Sequence, residues 1–416
     1  MQKLYTYACF EWLQEPQLMG EFGYESLRGS DSYSFRFDDE WLRKHGELFI
    51  SADLRNFPGW QYTQPGSDIF GCFADALPDR WGRLLVTRRE QILAAEEQRP
   101  VRRLTSFDYL TGIDDFSRMG ALRFKYSPDG EFLNAKAQLR IPPIADIKAL
   151  VAASQEIEKS EEYNFLPEKR WIQQLVHPGS SLGGARPKAG VIDDKGNLCV
   201  AKFPSRNDDY DVALWEHLCH LLAHEAGITT ADTSVLSVGN RHHVFLSQRF
   251  DRLSDGCRRH FASAMTLLGL ADGCNAATGN GYLDIVDFIL QHCCDVEQNL
   301  RQLYRRVAFN IAVGNSDDHF RNHGFLLTPR GWTLSPAYDM NPTISNTQSL
   351  LINRSSNIAD LNVLSESSDE YMIPREEAIA IIGEVKTAVA RWQAVARRLK
   401  IAQREIDYFY NVFERN

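Results

Sequence analysis

The densest chemistry in the chain lies between Asn315 and Asp339, in NSDDHFRNHGFLLTPRGWTLSPAYD. Asp317 stands five residues before Asn322, two short apolar runs (GFLL and WTLS) joined by the turn-forming TPRG follow, and Asp339 closes the stretch in SPAYDMNP. An ionised carboxylate can accept a hydroxyl proton. An Asn amide oxygen and a second carboxylate supply hard oxygen ligands of the kind magnesium takes together with phosphates. In this order, with a hairpin between them, the three residues suit phosphoryl transfer. Taken singly they suit much less, because an Asn, Ser and Asp cluster after a helix also makes a helix stop and turn.

The same order is used by protein kinases, in which the upstream parts of an ATP site precede it. In GSSLGGARPKAGVIDDKGNLCVAKFP, residues 179–204, two β-like runs, AGVI and LCVAKF, flank the turn DDKGN. Before them lies a loop with Ser180, Ser181, Gly183, Gly184, Arg186 and Lys188, whose glycines let backbone N–H groups approach phosphates. The loop matches neither GxGxxG nor GxxxxGK[ST], and a bare Gly-Gly pair is ordinarily a turn. Lys202 ends the second run, and Glu216 lies on the next helical segment, DVALWEHLCHLLAHEAG, where it could reach back to that lysine. Two surface side chains would explain the same spacing. Val212, Trp215, Leu218, Cys219 and Leu222 predict one apolar face ending at Gly227, which leaves His217, His220 and His224 on a solvated face. TSVLSV and HHVFLSQRF read as strands, and the exit of the second makes Gln248, Arg249 and Phe250 candidates for an adenine-binding hinge.

The elements that must position these residues follow from the rest of the chain. At 416 residues with 44% apolar content, two or three domains or subdomains are expected. The boundaries are placed at 1–125, 126–252 and 253–416. In the first, SYSFRFDDEWL alternates Tyr33, Phe35 and Phe37 as a strand, and GELFISADL reads as a second one. DIFGCFADALPDRWGRLLVTRREQILAAEEQ is helical with a break at Pro78, and Asp79, Arg80 and Arg83 read as its solvated surface. A turn at Pro128, Asp129 and Gly130 precedes an amphipathic helix over 144–160. GLADGCNAATGNGYLD reads as a flexible segment before the helix NLRQLYRRVAFNIAVGN, which delivers the Asp317 stretch. Pro374 then opens one long helix through REEAIAIIGEVKTAVARWQAVARRL, and a last helix ends at Phe413.

The eight cysteines show no CxxC pair or Cys/His metal spacing, which points to reduced, mostly buried thiols in a cytoplasm. No apolar run of membrane-spanning length and no leader pattern are found, so no membrane partner is expected. A net charge of −9 argues against a general nucleic-acid-binding surface.

With these parts in order, the sequence resembles the HipA family of bacterial serine/threonine kinases, toxins of type II toxin–antitoxin modules, over nearly its whole length. SSLGGARPKAG looks like the family's phosphate loop, AKFPS its ATP-lysine strand, SQRFDR its hinge, GNSDDHFRNHGFLL its catalytic loop and SPAYDMNP its metal-binding segment. FADALPDRWGRLL is similar to the small β-rich domain that precedes the kinase in longer members. The resemblance implies an α+β, two-lobed protein-kinase-like fold with a small N-terminal β-rich domain and a largely α-helical C-terminal lobe.

It also implies roles. Asp317 is the general base; Asn322 and Asp339 hold magnesium; Lys202 binds the nucleotide phosphates; and His319 lies close to ATP. Leu182, Gly183, Gly184, Ala185, Arg186, Pro187 and Lys188 form the loop over the phosphates, and Ser181 is the autophosphorylated serine. Phosphoserine there would bring nearly two negative charges to where ATP phosphates bind. The loop departs from the family pattern at Arg186 and Pro187, and the hinge departs at Gln248. By resemblance the substrate is a protein such as an aminoacyl-tRNA synthetase, and the partner is a small helix-turn-helix antitoxin through which alone the chain meets DNA. Two other readings stay open on the sequence: a nucleotide- or antitoxin-binding scaffold without catalysis, and a small-molecule kinase.

Overall fold

Across three neighbouring strands near the N-terminus, Leu4 faces Phe22 and Phe22 faces Phe35, and all three side chains are fully buried. Such a row is what period-two alternation produces when one face of a sheet is covered. The strands are β1 (Gln2–Ala8), β2 (Gln17–Leu27) and β3 (Ser30–Phe37). With β4 (Gln61–Tyr62) and β5 (Leu122–Lys125) they form an antiparallel sheet of order β4-β3-β2-β1-β5. The computed structural model describes residues 1–27, 29–64, 68–135, 141–176, 184, 186–239, 242–253 and 255–415. By its contacts the chain divides into two units, Met1–Asn207 with Gln248–Ala262, and Asp208–Ser247 with Ser263–Asn416.

In the first unit, α1 (Asp39–His45) starts where Asp38 accepts hydrogen bonds from the backbone of Glu40 and Trp41. The strand expected over GELFISADL is absent. Asn56 Nδ2 instead bonds the Gly46 and Leu48 carbonyls at 2.8 Å each, so a side chain satisfies backbone groups that a ladder would have used. The helical stretch breaks at Pro78 into α2 (Gly71–Ala74) and α3 (Arg80–Glu96). Phe73 on α2 covers the sheet, its ring 4.7 Å from that of Phe22. α4 (Ser106–Gly112) carries a capping box between Thr105 and Asp108. The amphipathic helix is α5 (Ile147–Glu162), followed by α6 (Lys169–Leu175). β6 (Lys188–Ile192) and β7 (Leu198–Lys202) form the expected hairpin, closed by Asp193, which accepts from Lys195 N and Asn197 N.

In the second unit, α7 (Val212–Glu225) is buried nearly all round rather than along one face. His217 and His220 are therefore not solvated. His217 Nδ1 lies 2.9 Å from Thr233 Oγ1, and the His220 ring packs against Phe245; only His224 is exposed. β8 (Thr233–Ser237) and β9 (His243–Gln248) pair antiparallel; β10 (Phe261–Ser263) leads from the first unit into the second. The segment expected to be flexible contains a 3₁₀ turn capped by Asn275, after α8 (Ala264–Leu267) and before α9 (Tyr282–His292). α10 (Val296–Val313) is the central helix, packing on α9, α11 (Leu361–Glu366), α12 (Arg375–Val389) and α14 (Gln403–Phe413). The single long helix expected after Pro374 is two, α12 and α13 (Trp392–Arg398). The turn at Ala390 and Arg391 brings Trp392 into the core, stacked on Phe413 at 4.7 Å.

All eight cysteines are free thiols; Cys72, Cys199 and Cys219 are buried and Cys257 is exposed. Among the described residues no helix is long and apolar enough to cross a membrane.

Candidate active site

α10 ends at Gly314, whose φ of 70° is left-handed. A Cβ at this position would collide with Val412 and come within 3.1 Å of Thr343 O, so only glycine lets the chain turn here. The next residue folds back: Asn315 N donates to Asn310 O at 2.8 Å, and Asn315 Nδ2 to Asn310 Oδ1 at 3.1 Å. Thr343 holds the other side, donating through its N and Oγ1 to Gly314 O, with its hydroxyl 2.5 Å from that of Ser316.

The two adjacent aspartates then diverge. Asp318 is 2% exposed, and its Oδ2 meets Tyr282 Oη at 2.7 Å, Asn310 Nδ2 at 2.8 Å and His323 Nε2 at 2.7 Å. Burial works to raise its pKa, but His323 and the Tyr282 hydroxyl hold it below the ordinary carboxylate value. Asp317 is exposed, and its carboxylate accepts no hydrogen bond among the described residues. Its carbonyl accepts from Asn322 Nδ2 at 3.2 Å, while Asn322 N donates to His319 O at 2.8 Å. With its amide nitrogen so engaged, Asn322 keeps Oδ1 available. His319 Nδ1 and Asn341 Oδ1 are buried and have no hydrogen-bond partner among the described residues.

The hairpin β11 (Gly324–Thr328) and β12 (Gly331–Leu334) carries the chain from this loop to Asp339, in the predicted order. Tyr338 Oη donates to Arg321 O at 2.7 Å, which ties the Asp339 segment to the loop beside Asn322. Asp339 is half-buried with a φ of 58°, a left-handed conformation that costs a non-glycine residue energy and that Asp tolerates better than most. The second unit thus links the Asp317, Asn322 and Asp339 segments by hydrogen bonds. Sequence reasoning missed the anchor of Asp318, Asn310, Tyr282 and His323. The doubled Asp of NSDDH and a His five residues on were its only signal.

In the first unit, Lys202 ends β7 and is half-buried, whereas Glu216 belongs to the second unit and is 2% exposed. Ser181, Leu182, Gly183 and Ala185 lie outside the described residues. Gly184 is exposed, Arg186 half-buried and Pro187 buried. Lys188 is 1% exposed, with its ammonium 2.8 Å from Asp79 Oδ2. Asp79 is therefore an interior ion-pair partner rather than part of a solvated helix surface; Arg80 is exposed as expected. At the hinge, Gln248 and Phe250 are half-buried, and Arg249 is committed to structure. Its N donates to Leu198 O, and its guanidinium bonds Asp251 at 2.6 and 2.5 Å and the carbonyls of Ser117 and Arg118. Asp251 also accepts from Arg252 Nη1 and Gly120 N. Burial raises the Asp251 pKa, yet these cations bring it well below the ordinary value.

The architecture is α+β and kinase-like, with a β-rich N-terminal region and a largely helical C-terminal part. It matches HipA of Shewanella oneidensis MR-1, solved with HipB and operator DNA, at a TM-score of 0.68 and 16% identity, covering 99% of this chain and 95% of that one. The HipA-like C-terminal domain family matches residues 180–392, about half of the chain, and the chain belongs to that family. Among curated proteins, the serine/threonine-protein kinase toxin HipA of Shewanella oneidensis is 23% identical over 214 residues, 46% of this chain and 48% of that protein. A putative kinase of Haemophilus influenzae is 26% identical over 207 residues, 43% of this chain and 60% of that protein. The chain thus spans about half to three-fifths of the length of the curated relatives it matches.

Proposed function

We propose that the chain is an ATP- and magnesium-dependent serine/threonine protein kinase, the toxin of a HipA-type toxin–antitoxin module. The observation that carries this reading is the pairing of an exposed, unengaged Asp317 with a buried Asp318 that fixes the loop beneath it. Asp317 accepts the proton of a protein Ser or Thr hydroxyl as the γ-phosphoryl transfers in line. Asn322 Oδ1 and the Asp339 carboxylate hold magnesium, an oxygen donor set of the size this ion takes when phosphates complete its shell. Bound there, the ion supplies charge neutralisation for the transferring phosphoryl group. The partnerless His319 Nδ1 and Asn341 Oδ1 supply further polar atoms toward the nucleotide. Lys202 binds its phosphates, with Glu216 as ion-pair candidate. Gln248 and Phe250 meet the adenine through backbone groups, since Arg249 N is already bonded.

The reading retains the division at 1–125, 126–252 and 253–416, a cytoplasmic setting, and autophosphorylation at Ser181. It also retains a protein substrate such as an aminoacyl-tRNA synthetase and a small helix-turn-helix antitoxin as the route to DNA. A HipA bound to HipB and operator DNA as structural neighbour supports the partner.

The test is to incubate the full chain and its Asp317→Ala variant with magnesium and ATP and to map phosphate by intact mass and peptide analysis. Phosphate on Ser181 in the wild type alone is expected. Transfer by both proteins would remove Asp317 from its role. ATP binding without transfer would favour a small-molecule kinase, and no binding a scaffold.

A further inference from the structure

Two side chains, those of Asp79 and Trp81, converge on Lys188, the first residue of β6, and the chemistry above uses neither. The Lys188 ammonium and the Asp79 carboxylate are 2.8 Å apart, and the two side chains are 2% and 5% exposed. Asp79 Oδ1 also accepts from Gly82 N at 2.7 Å, so the carboxylate is at once the cap of α3 and the partner of the lysine. Two residues on, Trp81 Nε1 donates to Lys188 O at 3.1 Å, in the interior. The start of α3 therefore grips both the side chain and the backbone of Lys188. On the loop side, a Cβ added to Gly184 would stand 3.2 Å from Lys188 Nζ, and Gly184 has a left-handed φ of 85°. The ammonium thus sits close beside the glycine, inside rather than at the surface. Lys188 is also the register partner of Lys202, so whatever fixes one fixes the other.

Resting on the kinase reading, we propose that Lys188 is a positioning residue and not a phosphate ligand. Through Asp79 and Trp81, the helix α3 holds it as a buried prop that sets Gly184 and Lys202 for the nucleotide phosphates. The FADALPDRWGRLL stretch thereby acquires a purpose in nucleotide binding without touching nucleotide.

The experiment compares ATP and adenosine binding by calorimetry in the full chain and in Asp79→Asn, Lys188→Met and the double variant; Asn preserves the cap. Each single variant breaks the buried Lys188–Asp79 pair, so ATP affinity should fall about tenfold with adenosine affinity changed less than about twofold. The double variant removes both charges and should recover most of the loss. A double variant as weak toward ATP as Lys188→Met would make Lys188 a ligand and overturn the proposal. A parallel loss of adenosine binding would do the same by showing general loosening. If the charged variants fail to fold, Trp81→Phe decides: an ATP-specific loss supports the prop, and unchanged binding sinks it. A wild type that binds no ATP overturns the kinase reading itself, a result distinguishable from all of these.

Discussion

The loop around Asp317 and the strand end at Lys188 treat charge in opposite ways. At Lys188 the ionic group is sealed inside, paired with the Asp79 carboxylate and close to Gly184. At Asp317 the ionic group is left outside, and the sealing is transferred to its neighbour Asp318, on which three donors converge. The difference shows that residue type alone does not mark a reactive group. On the kinase reading, what marks Asp317 is a carboxylate that accepts no hydrogen bond among the described residues, mounted on a backbone that has many.

The comparison breaks first at Asp317. Replacing it by Asn should lower phosphotransfer by about three orders of magnitude, as loss of a general base does, while the midpoint of urea unfolding stays put. A large fall in stability would show that Asp317 is structural after all. Asp318→Ala should do the reverse in origin, costing about 3–5 kcal/mol of folding stability because His323 and the Tyr282 hydroxyl lose their shared acceptor. Activity would then be lost through unfolding and should return in part at lower temperature.

A finer probe is acid. The folded pKa of Asp318 lies below its ordinary value of 3.8. Its contribution to stability is therefore complete above the unfolded pKa and drains away as pH falls toward the folded one. Unfolding midpoints of the wild type should drop below about pH 4 more steeply than those of Asp318→Asn. The smallest effect is expected at the sheet surface. Lys3 and Arg36 both bridge Glu21 at 2.9 and 2.8 Å, with over two-fifths of each cation side chain exposed. Arg36→Ala should cost no more than about 1 kcal/mol, and less in high salt.

Much of this was legible beforehand, and the reason differs by element. The strand β3 and the β6–β7 and β11–β12 hairpins announce themselves because alternation and turn chemistry are local, whereas β1 and β2 were not read from the sequence. The order Asp317, Asn322, Asp339 was legible because its spacing is set by one loop and one hairpin. The failures came where a distant side chain decided the outcome. Asn56 satisfies the carbonyls that would have made a strand near Leu48, and the core position of Trp392 splits a helix whose own residues would have run on. Likewise, nothing in the periodicity of α3 signals that Asp79 faces a lysine 109 positions away. The histidines of α7 misled for a related reason, since a helix covered on every side keeps no solvated stripe.

Gly314 has a consequence best put in genetic terms. Any side chain there would strike Val412 on the last helix, and its φ of 70° already disfavours every other residue. The position carries no reactive atom, yet each missense change at its codon adds a Cβ. In a selection for alleles that have lost activity, codon 314 should therefore be hit about as often as codon 317. A catalogue of such alleles would place two adjacent clusters on the map, one recording chemistry and the other only the shape of a turn.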